Sequence, residues 1–189
     1  MALSNRFTEA LVFAHQLHAE QIRKGSGVPY IAHLLGAASI ALEYGANEDE
    51  AIAALLHDAI EDQGGDTARI EIRRRFGDTV TAIVDGCTDA DTIPKPPWRQ
   101  RKEAYIAHLA TASPSVLLVS CADKLHNARS ILIDYRQIGE ALWERFQAGK
   151  IGMLWYYRAL VTAFRQVSSM PIVEELNRVV SELEKLVQS

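Results

Sequence analysis

Long apolar runs are missing from this 189-residue chain. None approaches the ~20 consecutive apolar residues that a membrane-spanning helix needs. The first segment, MALSNRFTEALVFAHQLHAEQ, has no basic stretch followed by a pure apolar one, and it already carries Glu, His and Gln at helical spacing. It reads as mature structure and not as a signal peptide, so a cytoplasmic protein is expected. Cysteine is scarce too. Cys87 and Cys121 are too few for a disulfide framework, and each sits in an apolar stretch where a small buried hydrophobe is the expected role. The closeness of Cys121 to Asp123 leaves a metal role open for it, although no Cys-x-x-Cys partner exists. A basic excess is also absent: the net charge of −4 speaks against duplex nucleic acid as the main partner. A phosphorylated small molecule is not excluded, because a divalent metal and a few placed Lys or Arg handle such charge locally.

No stretch alternates convincingly with period two, whereas nearly every segment repeats at helical period. The expected fold is therefore all-α. Residues 5–22 place Phe7, Leu11, Ala14, Leu17 and Ile22 on one side of a first helix, and residues 31–44 form a second after the Gly25–Pro29 turn. Asn47 with Glu50 three residues on resembles a capping box and opens a helix through AIAALLHDAIED that stops at Gly64-Gly65. Helices over 67–76 and about 78–88 flank Gly77. Pro94, Pro96 and Pro97 then break the chain between Asp89 and Trp98. A helix resumes over 99–111, and Ser113-Pro114 caps the next, which runs through VLLVSCADKLHNARSIL. Two or three more fill 136–188, the last restarting after Pro171. With no repeat, low-complexity tract or linker, residues 1–189 read as one domain.

Chemistry concentrates at three places. AIAALLHDAIED is apolar around most of its circumference, which implies burial, yet His57, Asp58, Glu61 and Asp62 fall in its C-terminal half. Uncompensated buried charge costs several kcal/mol per group, on the order of a whole protein's net stability when summed. A bound cation resolves that cost most simply. Imidazole with carboxylate suits Mn, Fe, Co, Ni or Zn better than Ca. The second place is Asp123-Lys124 with His126, Asn127 and Arg129, in a helix apolar up to that point. An acid with flanking cations and an amide suits a metal ligand bordered by phosphate contacts. The third is His33, in the first turn of the apolar helix GVPYIAHLLGAA. Read singly, His33 is a core histidine, Asp123 a partner of Lys124, and residues 57–62 a solvated helix end. A shared metal accounts for all three together. His15, His18 and His108 read as surface or packing residues, and His126 as a contact behind a ligand.

The order His, His-Asp, distant Asp resembles the HD phosphohydrolase superfamily. More narrowly, the chain resembles the hydrolase domain of the Rel/SpoT stringent-response enzymes and the small alarmone hydrolases. The matching segments are Arg23-Lys24 before Gly27-Val28-Pro29-Tyr30-Ile31-Ala32-His33, then Ala54-Leu55-Leu56-His57-Asp58-Ala59-Ile60-Glu61-Asp62, and Phe76-Gly77. Cys87-Thr88-Asp89 leading to Thr92-Ile93-Pro94-Lys95 and Ala122-Asp123-Lys124-Leu125-His126-Asn127-Ala128-Arg129 complete them, over roughly residues 7–135. The resemblance implies an HD-type helical bundle that removes pyrophosphate from the 3′ position of guanosine tetra- and pentaphosphate, usually with Mn²⁺. It implies His33, His57, Asp58 and Asp123 as metal ligands, and Glu61 and Asp62 as the acidic pair that orients or deprotonates water. It implies Arg23 and Lys24 beside the base, Lys95, Asn127 and Arg129 on phosphate and sugar, and a later tyrosine on the nucleotide, Tyr156 or its neighbour Tyr157. Lys124 joins the cations facing phosphate.

Three departures from the family matter, the first only for the start of a helix and the last two for substrate. Leu34 follows His33 where the family has Pro, Ser120-Cys121 replaces a commoner Lys-Leu, and Pro96-Pro97-Trp98-Arg99 is unlike the Rel/SpoT loop. An adenosine alarmone, NADPH losing its 2′-phosphate, or another nucleotide would use the same machinery. A sensor that binds alarmone without cleaving it is a different class, disfavoured by six intact ligand and acid positions. A scaffold using Trp98, Trp143 and Trp155 is a third. The partners expected are a small-molecule nucleotide, with neither nucleic acid nor membrane; the oligomeric state is not legible.

Overall fold

The computed structural model of the chain describes residues 2–90 and 94–188. Thr92 and Ile93 of the proline-flanked loop lie outside them. Among the described residues the regular elements are helices, and β-pairing is limited to one isolated bridge between Ile22 and Pro29. None of these helices is long and apolar enough to cross a membrane.

The helices are α1 (Asn5–Leu17), α2 (Ile31–Glu43), α3 (Glu48–Leu56), α4 (Ala59–Asp62), α5 (Asp66–Cys87), α6 (Trp98–His108), α7 (Pro114–Ile138), α8 (Gly149–Val167) and α9 (Pro171–Gln188). Short 3₁₀ turns, Leu109–Thr111 and Gly139–Arg145, join α6 to α7 and α7 to α8. The hub is α7, which packs against α2, α3, α5, α8 and α9. Its sequence explains the position: Leu117, Val119, Cys121, Ala122, Leu125 and Ala128 are buried and face more than one neighbour. The six residues Ala51–Leu56 of α3 are likewise buried. The acidic α9 presents Leu176, Val180 and Leu183 to α7 and α8, so its apolar stripe is covered within the chain.

Local sequence sets the helix ends. Ser113 accepts from the Val116 amide ahead of Pro114, and the Asn47–Glu50 capping box is complete, each side chain bonding the other's amide at 3.0 and 2.7 Å. Glu50 also accepts from Ser115, tying the start of α3 to that of α7. At Gly77 the backbone takes φ 88°, a conformation open to glycine, and α5 kinks there between the two helical stretches expected.

Three expectations need correction. The first helix ends at Leu17, not 22, and Ile22 is exposed. Residues 18–30 instead form a loop pinned by Arg23 N–H to Val28 O at 2.8 Å and Tyr30 N–H to Gln21 O at 2.9 Å. The helix through Asp62 is interrupted at His57-Asp58, between α3 and α4. The helix after Pro114 continues to Ile138, where Gly139 at φ 57° ends it. Trp143 is core, while Trp98 and Trp155 pack edge-on at 6.1 Å with Arg99 over the latter ring, so all three have partners inside the chain.

The capping box gives a direct test of how much the start of α3 contributes. Asn47→Ala should lower unfolding free energy by about 1 kcal/mol in urea titration, with metal binding unchanged.

Candidate active site

His33 sits in the first turn of α2, its amide bonded to the Tyr30 carbonyl at 2.9 Å. His57 and Asp58 occupy the break between α3 and α4. Adjacent residues of a regular helix point about 100° apart, so they would not converge on one point. At the break they do: His57 Nε2 lies 2.9 Å from Asp58 Oδ2. Asp123 approaches from the middle of α7, its Oδ1 3.2 Å from His33 Nε2 and 3.5 Å from His57 Nε2. His33 Nε2 is 3.2 Å from His57 Nε2 and 3.5 Å from Asp58 Oδ2. Each imidazole thus touches both carboxylates and the other imidazole.

The separations among His33, His57 and Asp58 fit a single ion, and Asp123 stands 3.2 and 3.5 Å from the two imidazoles. Metal–ligand bonds of about 2.0–2.2 Å place neighbouring ligands roughly 3.0–3.5 Å apart in octahedral or tetrahedral coordination. The tautomers fit as well. His57 Nδ1 faces the Ala54 carbonyl at 2.9 Å, so it carries the proton and leaves Nε2 for the cluster. His33 Nδ1 meets His126 Nδ1 at 2.9 Å, which makes His126 the acceptor. The charge state is consistent: burial and the nearby His33 and Arg23 push the His126 pKa down to about 4. This neutral ring is the contact behind a ligand that the sequence suggested. It fits because residue 36 is glycine: a Cβ there would lie 2.1 Å from His126 Cδ2.

Burial works against both carboxylates of the cluster, yet they stay ionised. Desolvation raises the pKa of Asp58, but His57 and His33 outweigh it and hold it well below the usual range. Asp123 is depressed in the same way, burial being outweighed by Lys124, 2.6 Å away, and His57. For His57, burial favours the neutral ring while Asp58 and Asp123 pull its pKa well above the ordinary value. The pair of carboxylates therefore demands positive charge at the point where the four donors meet. Tyr30, raised by burial and by Asp58, stays protonated and donates to Asp58 Oδ2 at 2.6 Å.

The acidic pair stands beside the cluster on α4. Glu61 Oε1 accepts from Lys95 at 2.8 Å, and Asp62 Oδ2 from Gln21 at 2.9 Å. Partial burial and the charge on Asp58 raise the Asp62 pKa, a shift toward proton acceptance. A cavity of about 240 Å³ is lined by Arg23, Lys24, Tyr30, Asn127, Arg145 and Tyr157 among others. Asn127 links it to the cluster, accepting from Arg23 at 2.8 Å and donating to Asp123 Oδ1 at 2.5 Å.

Most of the residues singled out in the sequence gather here, with one exception. Arg129 pairs with Glu175 of α9 at 3.0 Å and is absent from that lining, because it projects from the other side of α7. Its expected phosphate contact is therefore corrected. Tyr157 lines the 240 Å³ cavity, whereas Tyr156 faces a second one beside Lys124. Cys121 is fully buried outside the cluster, and burial raises its thiol pKa, so it packs as a hydrophobe. His15 and His108 are exposed; His18 is buried, stacked on Tyr30. Sequence reasoning assigned no role to Tyr30, Gln21, Lys102, Arg145 or Gly36. A glycine inside a helical pattern was the one available signal for Gly36.

The family described as HD domain matches residues 10–154. The chain belongs to the HD domain family. Over 126 residues it is 41% identical to a protein of Xenopus tropicalis named guanosine-3′,5′-bis(diphosphate) 3′-pyrophosphohydrolase MESH1, covering 65% of this chain and 68% of that one. It is 40% identical over 125 residues to the guanosine-3′,5′-bis(diphosphate) 3′-pyrophosphohydrolase of Aquifex aeolicus, covering 66% of this chain and 17% of that longer protein. A solved metazoan SpoT orthologue, whose description says that it hydrolyses ppGpp, superposes on this HD domain with a TM-score of 0.79. The superposition covers 96% of this chain and 97% of that one at 23% identity. That likeness carries the all-α HD fold.

Gly36→Ala should displace the His126 ring and, through it, His33. Divalent-ion affinity measured by chelator competition should fall about 10–100-fold. Unchanged affinity would mean that His126 does not hold His33 in place.

Proposed function

We propose that this chain is a metal-dependent hydrolase that releases pyrophosphate from the 3′ position of guanosine 3′,5′-bis(diphosphate). The observation that carries this reading is the convergence of two imidazoles and two carboxylates at 2.9–3.5 Å, with a second carboxylate pair on the next turn. Relatives at 39–41% identity bear the name of that reaction. His33, His57, Asp58 and Asp123 would hold the ion, which we take to be Mn²⁺ from the family resemblance. When bound, such an ion lowers the pKa of water toward neutrality and polarises a phosphoryl oxygen.

The chain's own groups do the rest. Glu61 and Asp62 orient the attacking water, and Asp62, with its raised pKa, takes the proton. The water oxygen bonds to the phosphorus next to the 3′ oxygen. The P–O3′ bond breaks, and its electron pair stays on the 3′ oxygen, which leaves as a hydroxyl once protonated. Lys95 steadies Glu61, and Lys124 offsets charge gathering on phosphate oxygens. Arg23 and Lys24 border the base from the 240 Å³ cavity, while Asn127 and Tyr157 fix the sugar end.

Purified protein with Mn²⁺ should release pyrophosphate from guanosine tetraphosphate and lose that activity in chelator. His57→Ala with Asp58→Ala should stay folded but neither retain Mn²⁺ nor turn over. Turnover by that double variant would remove the metal from the mechanism. Asp62→Asn should keep its Mn²⁺ content and lose about 10²–10⁴-fold in kcat.

A further inference from the structure

A second cavity, about 210 Å³, lies on the other side of Asn127 from the one bordered by Arg23. Trp98, Lys102, Lys124, Asn127, Tyr156 and Tyr157 line it, and among the described residues no carboxylate does. Lys102 of α6 spends one donor on Asp89 at 2.7 Å, and Lys124 spends one on Asp123 at 2.6 Å. Each ammonium has three donors, so two remain on each. The Tyr156 hydroxyl is buried and has no hydrogen-bond partner among the described residues. A buried hydroxyl left without a partner costs stability, which a ligand acceptor would recover. Burial and the charge on Lys124 lower the Lys102 pKa, so the two ammonium groups feel each other across this space. A cavity that offers donors, two of them charged, and no acidic lining calls for an acceptor-rich anion.

Its position says which anion. Lys124 and Asn127 both contact Asp123, so the cavity adjoins the donor cluster. Asn127 and Tyr157 also line the first cavity. A substrate with its nucleoside in the first cavity and its reacting phosphorus at Asp123 would send any group beyond that phosphorus toward Lys102. We infer that this second cavity seats the distal phosphate of the 3′-pyrophosphate, and that Lys102 selects pyrophosphate esters over monophosphate esters. The inference rests on the proposed hydrolase reading and deepens it. In the reaction the P–O3′ bond breaks and the phosphoanhydride stays intact, so the contact with Lys102 persists from substrate to released pyrophosphate.

The test uses the full chain loaded with Mn²⁺ and two substrates, guanosine 5′-diphosphate carrying a 3′-diphosphate or a 3′-monophosphate. Lys102→Met should cut the ratio of kcat/KM values, pyrophosphate ester over monophosphate ester, by about 10–100-fold, the scale of one lost charge-assisted contact. Inhibition by inorganic pyrophosphate should weaken in parallel while orthophosphate inhibition and Mn²⁺ content hold. Lys102→Arg should restore most of the ratio. Tyr156→Phe removes a hydroxyl that has no partner among the described residues, so the chain should fold at least as stably, and the same ratio should drop several-fold. Equal losses on both esters, or an unchanged ratio in both variants, would overturn the inference. If the unaltered protein cleaves neither ester, the hydrolase reading fails by itself. Calorimetry with inorganic pyrophosphate then decides the cavity: binding that is tighter than orthophosphate and lost in Lys102→Met supports it, and binding unaffected by that variant refutes it.

Discussion

The structure depends on two buried carboxylates that must find positive charge at one point. Asp58 and Asp123 reach that point from different helices, and His33 and His57 stand between them with Nε2 atoms 3.2 Å apart. Neither carboxylate would be tolerated in this interior alone. Their shared need dictates where α2, α3 and α7 cross, because each helix delivers its donor to within a few tenths of an ångström. The apolar residues around them, Ala51–Leu56 and Leu117–Ala122 above all, supply the close packing that keeps those crossings from drifting.

Around the donors runs a shell that orients them. The Ala54 carbonyl and His126 each face the Nδ1 of one imidazole, Lys124 pairs the outer oxygen of Asp123, and Tyr30 donates to the Asp58 oxygen that faces the imidazoles. Gly36 belongs to this shell by what it lacks, since any side chain would occupy the space of the His126 ring. The cavities on either side of Asn127 then differ in kind. One combines Arg23 and Arg145 with Asp134, polar groups of both signs suited to a nucleoside, while the charged groups lining the other among the described residues are Lys102 and Lys124.

The sequence carried the fold class because it rests on short-range signals. Helical periodicity, the Asn47–Glu50 box and the Ser113-Pro114 cap are local chemistry, and the structure follows them closely. His57 and Asp58 stood out because ionisable groups ended a helix that was otherwise apolar. Features set by tertiary contact were less legible. Ile22 looked like a helix residue until the loop pairing with Pro29 drew it to the surface. The break at His57-Asp58 has no proline or glycine to mark it; convergence of neighbouring side chains on one point requires it, and periodicity does not see that. Arg129 sits two residues from Asn127, yet they face different partners, because Glu175, far along the chain, claims the arginine. Lys102 lay hidden in an ordinary run of charge on a surface helix, and only the approach of α6 to α8 shows it facing a cavity with Tyr156.

The placement of the donors in three helices separated along the chain has a consequence for folding. An ion held jointly at residues 33, 57 and 123, as proposed, would tie together segments that only the docked core brings into contact. Such an ion would act as a removable cross-link closing two consecutive loops, 33–57 and 57–123, which are entropically expensive to close in the unfolded chain. Since α7 also touches α9, the tie reaches the C-terminal helices that contribute no donor. Metal occupancy would then be a record of completed tertiary assembly: a chain that holds such an ion has brought α2, the break after α3 and α7 together.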